Sequence, residues 1–196
     1  MDWTIPLHTG TATDDTESEE LRGLQALVPQ LEHVFTEGVD TLRRHHQSET
    51  IRKRCNLLWD LVGSRKIFVA LGPNVPTLTI LGISNERGEA LPVILLPRNW
   101  IQMIRANEVE QAGAIVNIGS QAIEIVRGNH DKDLVERGTM WEAEYLIGLR
   151  NFTLSNDYHR EVLRKWPKGI RSPGADKFLD PSERPDADPA HGSKLS

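Results

Sequence analysis

Residues 64–105 constrain the fold of this chain more than any other stretch. They carry three short apolar runs, Lys66–Leu71, Thr77–Ile83 and Leu91–Leu96, rich in Ile, Val, Phe and Thr. Residues of these types over five to seven positions predict strands. Gly72-Pro73-Asn74 parts the first two runs, and Ser84-Asn85-Glu86-Arg87-Gly88 parts the second from the third. Both are turn chemistry, because Pro presets φ while Gly and Asn accept positive φ. Pro97 then opens a helix, where its missing N–H does no harm, and Trp100, Met103 and Ile104 can face back onto the sheet.

The rest of the chain is expected to dress that sheet with helices. Leu21, Leu24, Val28, Leu31, Phe35 and Leu42 recur at steps of three, four and seven, an amphipathic stripe. Pro29 interrupts it and can split the helix, and Gly38 weakens it again. Ile51, Cys55, Leu58 and Val62 form a second stripe out of register with the first, so two packed helices or one kinked helix are expected rather than a continuous rod, with Gly63 placed as the C-terminal cap. After the Pro97 helix, Ala114–Ile118 and Ala122–Val126 flank Gly119-Ser120-Gln121, which reads as a second hairpin. Thr139-Met140-Trp141-Glu142 has capping-box spacing and predicts a helix from about Met140. A last helix is expected near Ser155, carrying Tyr158, Val162 and Trp166.

The fold class expected is therefore α+β: a small antiparallel sheet with two hairpin regions, packed by helices. Its divisions run 1–16 disordered, 17–63 a helical arm, 64–171 the α+β domain and 172–196 a disordered tail. The core is expected to include Phe68, Leu71, Ile80, Ile94, Leu96, Trp100, Ile104, Ile125, Trp141 and Tyr145.

Composition narrows the functions. One cysteine in 196 residues, Cys55, excludes an internal disulfide and a cysteine-rich zinc site, and its place on the second stripe predicts core packing. No apolar run has the length of a membrane span, and the N-terminus lacks the regions of a signal peptide, so an intracellular location and no membrane partner are expected. Ser193-Lys194-Leu195 resembles a peroxisomal address, but Ser196 follows it. No phosphate-binding loop motif is present and no cofactor is expected.

The net charge of −5 conceals blocks. Residues 42–66 carry +5 and residues 150–172 carry +4, flanking the β region in sequence. Such blocks can be an electrostatic footprint for a polyanion. Arg52, Lys53, Arg54, Arg65 and Lys66, with Arg164 and Lys165 from the second block, are the candidate phosphate contacts. The run from Lys66 to Arg105 resembles the C-terminal domain of transcriptional positive cofactor four. There, curved antiparallel strands lead into a helix, as Ile94-Leu95-Leu96-Pro97-Arg98-Asn99-Trp100 does here. The resemblance implies a dimer that binds single-stranded or melted DNA through basic and aromatic residues of its sheet. The strands of this chain are nearly free of Lys and Arg.

Two other readings stand beside nucleic-acid binding. One is a protein-interaction module that acts or self-associates through amphipathic helices in residues 17–62. The other starts from Gly128-Asn129-His130-Asp131, which resembles the Asn-His box of calcineurin-like metallophosphoesterases. That likeness implies Asn129 and His130 as ligands of a dinuclear metal centre. The companion Gly-Asp box is missing, and Asp157-Tyr158-His159 stands on the wrong side of the motif. A polar turn after a strand is the plainer reading, and catalysis is not favoured.

Overall fold

The structure is a computed structural model that describes residues 15–72, 74–84, 90–129, 132–149 and 157–165. The expected disorder of residues 1–14 and of the tail 172–196 lies outside the described residues, as does Trp166, whereas Asp15 and Thr16, also expected to be disordered, open the first helix. Among the described residues, six helices and one three-stranded sheet make an α+β fold: α1 Asp15–His45, α2 Glu49–Gly63, β1 Phe68–Gly72, β2 Thr79–Ser84, β3 Ala90–Pro97, α3 Trp100–Ala106, α4 Glu108–Val126, α5 Leu134–Gly148 and α6 Asp157–Lys165.

The three strands fall where the apolar runs place them, but their order is β1-β3-β2. β2 pairs antiparallel with β3, Ile80 opposite Ile94, while β1 pairs parallel with β3, Val69 opposite Ile94. The sheet is thus mixed rather than antiparallel. The physical reason lies in β3, whose Pro92, Val93, Ile94 and Leu96 are buried without alternation. A continuous apolar run suits a central strand covered on both faces. The six residues between β1 and β2 reach about 20 Å when extended, enough to pass over the roughly 10 Å that two strand spacings occupy. Gly72 begins that passage; a Cβ there would stand 2.8 Å from Val75 Cγ2.

α1 runs through Pro29 without a break in assignment. Proline forfeits one N–H bond, but Leu27 and Val28 before it and Leu31, Phe35, Val39 and Leu42 after it all pack on the core. The two packed helices expected from the out-of-register stripes are present, with the break between them at residues 46–48. Ser48 caps α2 by accepting the Ile51 N–H, and its hydroxyl donates to Glu144 Oε1 on α5 (3.0 Å). α2 ends with the Lys66 N–H bonded back to the Leu61 carbonyl (2.9 Å) and Arg65 in the left-handed region at φ 58°. Gly63, the expected cap, is the last helical residue. The helices expected as an arm therefore share one core with the strands, and the stripe that could have made a coiled-coil seam faces the chain's own interior from Leu31 on.

The second hairpin is the largest correction: residues 108–126 form one helix, α4. Ile115, Val116, Ile118, Ile123, Ile125 and Val126 gave it strand-like composition, but the helix is buried on most of its circumference, where β-branched residues are chosen for packing. Its glycines are not turn residues. A Cβ on Gly119 would meet Leu58 Cδ2 at 2.5 Å, so that glycine lets α2 lie directly on α4. Asn107 caps the helix, accepting the Glu110 N–H (3.1 Å) and donating to Glu110 Oε2 (3.0 Å). α5 likewise starts at Leu134, ahead of the expected Met140, and Thr139 is internal, its hydroxyl donating to the Val135 carbonyl one turn back.

Trp100, Leu71, Ile94, Leu96 and Trp141 are fully buried and Ile125 and Tyr145 nearly so, whereas Phe68, Ile80 and Ile104 are partly covered. Cys55 is core, its thiol pushed up to about 12 by burial, which outweighs the charge of Arg54.

Candidate functional site: the basic face of α2 and the polar seam beneath it

α2 carries three consecutive cations, and helical geometry turns each about 100° from the last, so they cannot share one role. Arg54 points inward. It is 2% exposed, and its Nη2 donates to Glu124 Oε1 at 2.7 Å and to the Ser120 carbonyl at 3.1 Å. Its Nε donates to Ser120 Oγ (3.3 Å), and its guanidinium lies 4.6 Å from the centre of the Trp141 ring. Arg54 is therefore a tie between α2, α4 and α5, and cannot contact an external phosphate from this position. This corrects its place among the candidate contacts. The charge of the Arg-Lys-Arg run does not by itself distinguish its members; the cue is that Arg54 directly precedes the buried Cys55.

Arg52 turns back to the preceding link, donating from Nη1 to the His46 carbonyl (2.6 Å) and the Gln47 carbonyl (3.3 Å). Lys53 faces water and meets Glu49 at 3.2 Å, one turn earlier. A surface pair of this kind holds its partners by a few tenths of a kcal/mol, roughly 0.3–0.5, and yields readily to another anion. Arg65 and Lys66 at the corner after α2 are exposed, and neither forms an ion pair with a described residue. Lys53 and Arg65 are separated by about 18 Å along the helix. Nearby, Arg43 lies 4.4 Å over the Trp59 ring and pairs with Asp40, which also takes Arg44 at 3.0 Å.

The second basic block is not gathered onto α2. Arg164 rides on α6, which packs against α5, and its guanidinium is held by Glu161 (2.6 and 2.9 Å). The Lys165 side chain lies outside the described residues.

Beneath the basic face runs a polar seam that sequence reasoning missed. Asn117, Ser120, Gln121 and Glu124 lie at steps of three, one and three, one face of α4, and all are buried. Asn117 Nδ2 donates to Glu142 Oε2 (2.7 Å), Gln121 Nε2 donates to Asn117 Oδ1 (2.7 Å), and Asn129 Nδ2 donates to Glu124 Oε2 (2.7 Å). Burial would push the Glu124 carboxyl up, but the Arg54 charge and hydrogen bond, the Asn129 bond and Arg127 together hold it below its ordinary value. Read at helical rather than strand spacing, the same residues stand out as a polar stripe.

The Gly128-Asn129 turn gains a structural account from this seam. Gly128 stands at φ 84°, and the Asn129 N–H bonds back to the Glu124 carbonyl (3.0 Å) while its side chain clamps the same residue's carboxylate. Asn129 is thereby committed to the end of α4. His130 and Asp131 lie outside the described residues, and among the described residues no three metal-binding side chains cluster. No described helix is long and apolar enough to cross a membrane.

Comparison with known proteins finds no matching family model, no matching curated protein and no matching solved structure.

Proposed function

We propose that the protein binds nucleic acid through phosphate contacts from the outward side of α2 and the corner that follows it. Lys53, Arg65 and Lys66 are the contacts of this reading, with Arg52 beside them at the start of the helix and Arg164 as an outlying cation. Arg54 supports them from within by holding α2 on α4.

The observation that carries the reading is Arg65. A non-glycine residue in the left-handed region costs about 1 kcal/mol relative to glycine, and the position after a helix is one that glycine commonly fills. The dipole of α2 favours a cation at this end, but that preference could be met by Lys66 without a strained backbone. An exposed arginine kept at φ 58°, beside an exposed lysine and with no described carboxylate paired to either, is placed to meet an external anion. The net charge of −5 makes any such attraction local to this face.

The test is fluorescence anisotropy of labelled single- and double-stranded oligonucleotides against the wild-type chain over a range of salt. Phosphate contacts predict affinity that falls linearly on a log–log plot, with a slope of about −0.7 per contact for single strands and about −0.9 for duplex. Absence of binding to either form at low salt removes this reading.

A further inference from the structure

The two edges of the sheet differ in how they are covered. α1 packs on β1, where Val69, Ala70 and Leu71 are buried. β2 is left open. Among the described residues three large apolar side chains are exposed, and two of them, Leu81 at 47% and Ile83 at 42%, stand on this strand. Edge strands are ordinarily guarded by a lysine, a proline or a bulge. β2 reads Thr-Ile-Leu-Gly-Ile-Ser and pairs with β3 residue for residue, so it has none of these.

The register fixes which backbone groups point to the open edge. Opposed residues of an antiparallel pair alternate between those that exchange both main-chain bonds and those that exchange none. Gly82 stands opposite Pro92, which has no N–H and cannot exchange. Leu81 and Ile83 therefore bond to Val93 and Leu91, while Ile80, Gly82 and Ser84 turn their N–H and C=O groups outward. Among the described residues these three have no other main-chain partner. Packing within the chain does not account for Gly82 either, since nothing lies within 4 Å of where its Cβ would stand. A glycine inside a strand weakens it, and often marks the close approach of another backbone.

We infer that β2 is the docking edge for a second copy of this chain, the two strands pairing antiparallel about a two-fold axis at Gly82. In that register Gly82 exchanges bonds with its own counterpart, and Ile80 does so with the partner's Ser84. Leu81 then falls opposite the partner's Ile83 in a pair that exchanges no bonds, the kind whose side chains come closest. The exposed apolar side chains of each copy thus cover those of the other. Charge favours the same occupant. Residues 67–85 contain no Asp, Glu, Lys or Arg, so a two-fold contact here sets no like charges together, although each copy carries −5 in total. With the β1 edge covered, the assembly closes at two copies instead of extending as a filament. The inference is independent of the basic face of α2 and stands or falls without it.

The experiment pairs sedimentation of the full chain over a range of concentrations with amide hydrogen exchange. The wild-type chain is expected to form a dimer that dissociates on dilution. The amides of Ile80, Gly82 and Ser84 should be protected in the dimer and exchange rapidly in the dilute monomer. Leu81→Lys/Ile83→Lys and Leu81→Glu/Ile83→Glu should each be monomeric alone, because like charges then face one another across the axis, and should associate when mixed. A cooperative melt checks that each variant folds. Where a variant does not fold, exchange in the wild-type chain decides alone. A wild-type monomer at every concentration, a dimer in which the three amides exchange rapidly, or a folded Lys variant that stays dimeric would overturn the inference.

Discussion

Replacing Arg54 by Ala should destabilise the fold far more than removal of any neighbouring cation. Arg54 and Glu124 have side chains 2% and 3% exposed and meet at 2.7 Å. Deleting one member of such a pair strands the other as a buried charge, at a cost of roughly 3–5 kcal/mol. Two features place this site near the lower end. Asn129 still donates to Glu124 at 2.7 Å, and Arg127, partly exposed, reaches it at 3.3 Å. About 3 kcal/mol corresponds to a fall in Tm of roughly 6–12 °C for a chain of this size. The pH dependence supplies a second check. In the wild type the depressed Glu124 pKa contributes stability that is present above the unfolded value and lost as pH falls through the folded one. Without Arg54 the opposing effect of burial gains weight, the carboxyl moves upward, and the deficit of the variant should narrow as the solution is acidified from pH 7. Paired urea titrations at several pH values measure both. Arg54→Met combined with Glu124→Leu should recover most of the loss, since an apolar pair needs no desolvation of charge. A cost below about 1 kcal/mol at pH 7, typical of a surface cation, would refute the structural role assigned to Arg54.

Arg65→Gly should raise stability by about 0.5–1 kcal/mol in urea titration, by relieving the positive φ, and should at the same time weaken oligonucleotide binding. Gly138→Ala should cost about 1–3 kcal/mol, because its Cβ would strike Asn117 Oδ1 and stand 2.8 Å from Gln121 Nε2 at the α4–α5 contact; an unchanged denaturation midpoint would speak against that packing. His46, whose pKa burial lowers, contributes stability that is complete above its unfolded value and declines as pH falls toward the folded value. That decline is at most about 1.4 kcal/mol per pH unit. It should disappear in His46→Met when the two chains are compared from pH 7.5 to 5.

The sheet was legible in the sequence because strand signals are local: β-branched runs bounded by Gly, Pro and Asn. Trp100 could be assigned to the core for the same reason, standing where a helix leaves the last strand. The strand order was not legible, because pairing depends on which run can be buried on both faces, and Leu91–Leu96 differs from its neighbours only in degree. α4 was misread where two uses of glycine coincide. Gly119 beside Ser120 has the composition of a turn, but the residue is small because Leu58 occupies the space above it. The polar seam was lost with the helix, since Asn117, Ser120, Gln121 and Glu124 align only at a 3.6-residue period. Among the bases, identity alone could not separate Lys53 from Arg54; the helical phase relative to Cys55 and Leu58 does so, leaving Lys53 in water and Arg54 against Trp141.

The salt dependence of oligonucleotide affinity for Lys53→Ala/Arg65→Ala/Lys66→Ala, measured beside the wild type, tests the central claim most directly. None of the three side chains is buried, so the variant should keep the wild-type midpoint of unfolding. Affinity should weaken to a similar degree for every sequence, and the log–log slope should become shallower by roughly two to three units, one increment for each phosphate contact removed. A slope equal to that of the wild type would contradict it.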